Sequence, residues 1–201
     1  MVLSFRLFPY LVKLNKWGQK MKIEIKENEL KKIIAFCDKR KHAGVKMAVL
    51  IKATENGAVL AATDGSILAK YESLGNISEN WPADGVILFL QPIAKMLKEK
   101  ECRNLIIEGE EGQNWFKITK ADGSVLMAER ADARFPNYES VILPENMPKA
   151  TTYQPVKWEY IKLAETVLNS YVYTTPKQQN PYGPMQWNKA GWTVVVMPLL
   201  G

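Results

Sequence analysis

Three aspartates are, by type, candidates to hold a catalytic divalent cation: Asp64, Asp122 and Asp132. Carboxylate sets do this in metal-dependent hydrolases and transferases. Their spacing argues otherwise. Asp64-Gly65 and Asp122-Gly123 each stand between apolar runs, a strong signal for a hairpin turn, and neither has a His or Lys partner beside it. His42 is the single histidine, which excludes a His-rich metal site and leaves a Ser/His/Asp triad without support. Cys37 and Cys102 form no CxxC pair, so neither a zinc site nor a disulfide framework is indicated, and the usage fits a reducing cytoplasm. The sequence contains no P-loop, GxGxxG or GxSxG. The chain reads as a protein without catalytic residues, metal or cofactor.

The second chemistry on offer is cationic. The formal net charge is +6, but it is unevenly spread. Residues 1–20 carry Arg6, Lys13, Lys16 and Lys20 and no acid, residues 21–150 are neutral, and residues 151–201 contribute +2. Within the neutral body the cations favour the helical segments: Lys31, Lys32, Lys39, Arg40 and Lys41, then Lys95, Lys98 and Lys100, then Lys157 and Lys162. Acids such as Glu108, Glu110, Glu111 and Glu129 fall in hairpins and loops. Two readings stay open: ordinary solvated helix faces, or a surface that meets phosphates without reading bases.

The elements that place these residues follow from periodicity. A composition of 47% hydrophobic and 24% charged residues over 201 positions excludes a disordered chain and allows a full core. Residues 1–20 hold an apolar run broken by Arg6 and Pro9, too short for a membrane span and without a cleavage site. They read as an upstream start or a disordered, dispensable extension, with a basic, aromatic arm that touches nucleic acid or a membrane surface as the other reading. From Met21, alternation predicts a strand over Lys22–Lys26. Asn28 is then positioned to cap a helix bearing Leu30, Ile33, Ile34 and Cys37 on one face. Strands follow at Lys46–Ala53, Ala58–Ala62 and Ile67–Tyr71. The order repeats: strand Val86–Leu90, a helix opened by Gln91-Pro92 with Ile93, Met96 and Leu97 inward, and strands Asn104–Glu108, Trp115–Thr119 and Ser124–Glu129. Two βαβββ copies that pair their sheets make one α+β unit with both helices on one face, assigned to residues 21–143. Residues 144–201 hold a shortened third copy: a strand at Thr151–Pro155, a helix at Trp158–Leu168, a long Pro/Gly loop and a last strand at Thr193–Met197. So short a piece borrows core from its neighbour or from another chain.

Three motifs in order, TDGSILA at Thr63–Ala69, RFPNYESVILP at Arg134–Pro144 and VVVMPLL at Val194–Leu200, resemble the bacterial DNA polymerase III beta subunit, the sliding clamp. The resemblance covers about residues 21–201. The first unit resembles the middle domain of a clamp, and the remainder a truncated final clamp-like domain. Short clamp-like chains of this type also occur on phages and mobile elements. The resemblance implies a DNA-clamp fold without catalysis. It also implies a cytoplasmic homo-oligomer that meets duplex DNA, with no membrane role, and docks DNA polymerase and other replication or repair proteins by a short Gln- and Leu/Phe-containing peptide. The docking cleft it implies comprises Thr63, Gly65, Ser66, Ile67 and Leu68, with Pro136, Ser140 and Val141 from the linker and Val196, Met197, Pro198 and Leu199 from the last strand. The DNA-facing set it implies is Lys31, Lys32, Lys39, Arg40, Lys95, Lys98, Lys157 and Lys162. The family's basic residues are replaced by Ile67, Ser140 and Leu200, so a partner peptide is expected to rely on apolar anchors and little on acidic flanks. The rival reading is a clamp-like adaptor that binds replication proteins and encircles nothing.

Overall fold

The computed structural model describes residues 20–40, 43–78, 80–97, 103–147, 155–169, 177–178 and 183–199. The first unit runs β1 (Lys20–Lys26), α1 (Glu27–Ile34), β2 (Val49–Thr54), β3 (Gly57–Thr63), β4 (Ile67–Leu74), β5 (Val86–Phe89), β6 (Asn104–Glu110), β7 (Trp115–Thr119) and β8 (Val125–Arg130). The chain continues with α2 (Trp158–Leu168), β9 (Lys177–Gln178), β10 (Met185–Lys189) and β11 (Trp192–Val196). All the strands join one antiparallel sheet in the order β1-β6-β7-β8-β5-β2-β3-β4-β11-β10-β9.

That order shows how the duplication is used. Each copy lends its first strand to the other: β1 pairs with β6, and β5 pairs with β2. The two junctions are alike. β5 meets β8 at Leu88–Arg130. β1 meets the chain after β4, where Ser78 N–H donates to Lys22 O at 2.8 Å and Glu24 N–H to Asn76 O at 3.0 Å. The eight strands therefore close on themselves around a shared interior.

Alternation on β1 sends Met21, Ile23 and Ile25 into that interior and Lys20, Lys22 and Lys26 outward. Leu30, Ile33 and Ile34 bury the inner face of α1. Its acids Glu27 and Glu29 lie in the first turn and Lys31 and Lys32 in the last, matching the helix dipole. Asn28 is not the cap expected from the sequence: Lys26 occupies that place and Asn28 falls inside the first turn. The second predicted helix is a 3-10 turn, Gln91–Met96, opened by Pro92. Ile93 and Leu97 are buried as expected, whereas Met96 is 56% exposed. This turn touches α1, so the two pack on the same side of the unit. Phe116 lies directly on Gly109, where a Cβ would stand 2.5 Å from the ring, so that position tolerates no side chain.

β3 is buried along its whole length because both faces are covered. Ala58, Leu60 and Ala62 join the main core, which also takes in Ala164, Val167 and Leu168 of α2 and Val194 and Val196 of β11. Val59 and Ala61 face a second, smaller cluster with Leu50, Leu68, Ile87 and Val195. Phe135 and Tyr138 of the 131–143 segment cover that cluster, their rings edge to face at 6.1 Å between centroids. The expected strand at Thr151–Pro155 lies outside the described residues, except for Pro155, which is in no strand. β10, which sequence periodicity does not reveal, pairs with β11 through Ala190-Gly191, both at positive φ (48° and 81°), a primed two-residue hairpin turn.

Candidate peptide-docking cleft

The cleft starts from a turn that leaves little free. In Thr63–Ser66 the Thr63 hydroxyl donates to Ile67 O at 2.7 Å and accepts from Gly65 N–H at 3.0 Å. Asp64 Oδ1 accepts from the amides of Ser66 (2.8 Å) and Ile67 (3.0 Å), and Oδ2 accepts from Tyr160 O–H of α2 at 2.7 Å. Burial, with the bond to Asp64, pushes the Tyr160 phenol up from its ordinary pKa. Asp64 is thus structural on both oxygens. Asp122 likewise accepts from Ser124 N–H at 2.9 Å in its own turn. Asp132 is exposed in a neighbouring polar groove.

Two further segments converge on this turn. β11 pairs with β4, setting Val195 opposite Leu68 and Val196 opposite Ile67, and Met197 N–H then donates to Ser66 O at 2.8 Å. The linker is held from the other side by the buried Gln186 of β10. Its Oε1 accepts from Leu143 N–H at 2.6 Å and its Nε2 donates to Leu143 O at 3.3 Å. Burial, then the neighbouring Glu139 carboxylate, pushes the Tyr138 phenol up to about 12.

A cavity of about 190 Å³ lies between these segments. Thr63, Gly65, Ser66, Ile67, Leu68, Pro136, Val141 and Met197 all line it. Ser140, Val196, Pro198 and Leu199 do not. The Ser140 hydroxyl turns back to donate to Asn137 O at 2.7 Å. Val196 falls on the opposite face of its strand and enters the main core, so Val195 lines the cavity in its place. Leu199, 46% exposed, instead bonds Pro155 O through its N–H at 2.8 Å. Ile67 shares the alternation of Val196 and belongs to the main core, whereas Leu68 belongs to the cluster under the linker. Sequence reasoning did not name Lys46, Asn137, Tyr138 and Val195 as cavity residues. Strand alternation next to Met197 was the available signal for Val195.

The cations divide by surroundings. Lys31 and Lys32 are half-buried on α1, and Lys39, Arg40, Lys95, Lys157 and Lys162 are exposed. Lys98, Lys41 and Lys100 lie outside the described residues. Arg40 is engaged by Asp38 through contacts of 2.6–3.0 Å, and its guanidinium holds the Asp38 carboxyl down at about 2. A second cavity of about 460 Å³ has Lys39 on one wall and Lys162 on the other, which sets the segment after α1 beside α2. On α2, Lys162 lies over the Trp158 ring at 5.7 Å, and Trp158 is 61% exposed.

No family model and no curated protein matches the sequence. Solved structures do match. A DNA polymerase sliding clamp from Pseudomonas aeruginosa aligns over 99% of this chain and 70% of its own length, at 16% identity and a TM-score of 0.63. A Caulobacter crescentus pol III beta aligns over 99% and 70%, at 14% identity and 0.64. A sliding clamp (DNA polymerase III subunit beta) from Bartonella birtlesii, bound to griselimycin, aligns over 93% and 67%, at 15% identity and 0.64. The likeness is one of fold: the chain is an α+β protein with the architecture of the bacterial beta sliding clamp. Among the described residues no helix is long and apolar enough to cross a membrane.

Proposed function

We propose that the protein is a non-catalytic, cytoplasmic, sliding-clamp-like accessory of DNA replication. Copies of the chain assemble, meet duplex DNA without reading its sequence, and hold a polymerase or repair protein by a short peptide docked in the cleft. The observation that carries the reading is the convergence of the TDGS turn, the 131–143 linker and the end of β11 on one apolar cavity, on a fold shared with sliding clamps. A peptide site needs apolar anchors with a few fixed polar groups around them, and Leu68, Val141, Val195 and Met197 beside an already satisfied turn meet that need.

The DNA surface is assigned to the cations on and beside α1, the 3-10 turn and α2. Many weak phosphate contacts and no base contacts are what sliding requires. Changing Lys31, Lys32, Lys95 and Lys162 together to Ala is expected to weaken binding to every duplex alike. It should also flatten the slope of log K against log salt by up to about 0.9 for each phosphate no longer neutralised. Salt titration of duplexes of unrelated sequence checks this, and an unchanged slope would reduce these lysines to solubilising charge.

A further inference from the structure

We propose that the N-terminal segment of the chain, residues 1–19, folds back onto the outer face of its own sheet at Trp115, Val125 and Met127. The segment lies outside the described residues, and the surface is what points to it. Strand alternation sends Phe116, Ile118 and Ala128 into the main core and turns Trp115, Lys117, Val125 and Met127 outward. Trp115, Val125 and Met127 are 52%, 50% and 49% exposed. Pairing makes them one patch, with Met127 opposite Lys117 and Trp115 opposite Glu129. β8 adds an open edge, since it meets β5 only at Leu88–Arg130 and Phe89–Glu129. An aromatic ring and two aliphatic side chains beside an unpaired strand edge form a surface that native proteins cover.

Place, charge and apolar character commit the patch to this occupant. Register puts Lys22, Glu108, Lys117 and Met127 in one row across β1, β6, β7 and β8, with Lys20 and Trp115 two residues beyond it at the same end. The segment therefore joins β1 two strands, or about 10 Å, from the strand of Trp115. Gly18, two residues before Lys20, supplies the backbone freedom that a reversal over the face requires. Residues 1–19 carry Arg6, Lys13 and Lys16 and no acid. The patch is bordered by Glu108, Glu110 and Glu129, none of which forms an ion pair among the described residues. Phe8, Tyr10, Leu11, Leu14 and Trp17 give the segment apolar side chains of its own to bury. A short tether sets its effective concentration in the millimolar range, which a second copy of the chain does not reach. Phe116 and Ile118 share the main core with Leu30 and Ile33 of α1, so the patch lies on the side of the sheet away from that helix. Docking there keeps the segment's cations off the surface assigned to duplex DNA.

The test subjects the full chain to a brief pulse of hydroxyl radicals and reads oxidation at Trp115 and Met127 by mass spectrometry. Met96, 56% exposed in the 3-10 turn, is the reference. Reversing the segment's charge with Arg6→Glu, Lys13→Glu and Lys16→Glu together is expected to raise oxidation at both residues about threefold or more relative to Met96, the scale of several screened surface ion pairs. High salt should do the same to the wild type. Adding Glu110→Lys and Glu129→Lys to the reversed segment should restore the protection. Dilution of the wild type should leave the protection unchanged, because the occupant is tethered. Oxidation at Trp115 and Met127 that ignores both charge reversal and salt would overturn the proposal. Protection that fades on dilution would overturn it too and assign the patch to a second copy of the chain.

Discussion

Lys120→Ala is expected to lower the unfolding free energy by about 3–5 kcal/mol, the usual cost of removing one partner from a buried ion pair. Lys120 Nζ stands 3.2 Å from Glu27 Oε1, and the two side chains are only 7% and 2% exposed. The same ammonium donates to Met96 O at 3.1 Å and lies 3.7 Å from Asp122, which is 42% exposed and adds little. One side chain from the second copy therefore holds both the first turn of α1 and the end of the 3-10 turn. Without it, Glu27 keeps its place in the core and loses the ammonium it faces. Lys120→Met, close in volume, should cost nearly as much, because the charge is what is removed. Adding Glu27→Gln to Lys120→Met should recover part of the loss. Urea unfolding checks all three, and a loss below about 1 kcal/mol for both single variants at Lys120 would place the pair among surface bridges.

Met197→Ala combined with Leu68→Ala is expected to cost a few kcal/mol of peptide affinity, as truncation of central anchors does, and to leave duplex binding unchanged. Both residues line the cavity, Met197 from after β11 and Leu68 from β4. Their exposures differ in a useful way. Leu68 is 5% exposed and supports the cluster under the linker, so its truncation also costs about 2–5 kcal/mol of stability. Met197 is 39% exposed, so its truncation removes little buried surface. Met197→Ala alone is therefore the clean variant: a loss of peptide binding at unchanged melting temperature. A variant that loses DNA and keeps the peptide would show that Met197 lies on the wrong surface.

The duplication was legible because its signals are local. Alternation around Ile23 and Ile25, the Leu30–Ile34 face and the two Asp-Gly turns each report one element, and their repetition reports the unit. The exchange of first strands between copies was not legible, since pairing β1 with β6 joins residues far apart in the chain and leaves no local trace. β10 was missed because its turn places Ala190 where Asn or Gly is the usual signal for positive φ. In the cleft, the Asp64-Gly65 turn stands out by its residues, whereas Met197 was named only through the resemblance of VVVMPLL to the sliding-clamp motif. Val195 was displaced by its neighbour Val196 because a valine run hides the parity of a strand; alternation from Met197 was the one available signal, and the register with β4 agrees with it. Lys46 and Gln186 carry no motif. Lys46 lies across Gly65, and Gln186 bonds both backbone groups of Leu143.

Enclosure of duplex DNA by copies of this protein, with partner peptides held in their clefts, is put to the test on circular DNA. Protein assembled from dissociated subunits on a nicked circular duplex is challenged with high salt, before and after a single restriction cut. The expected result is retention on the circle and release once the circle is linear, because a ring held by topology escapes only over an end. Equal release from circle and line would contradict enclosure.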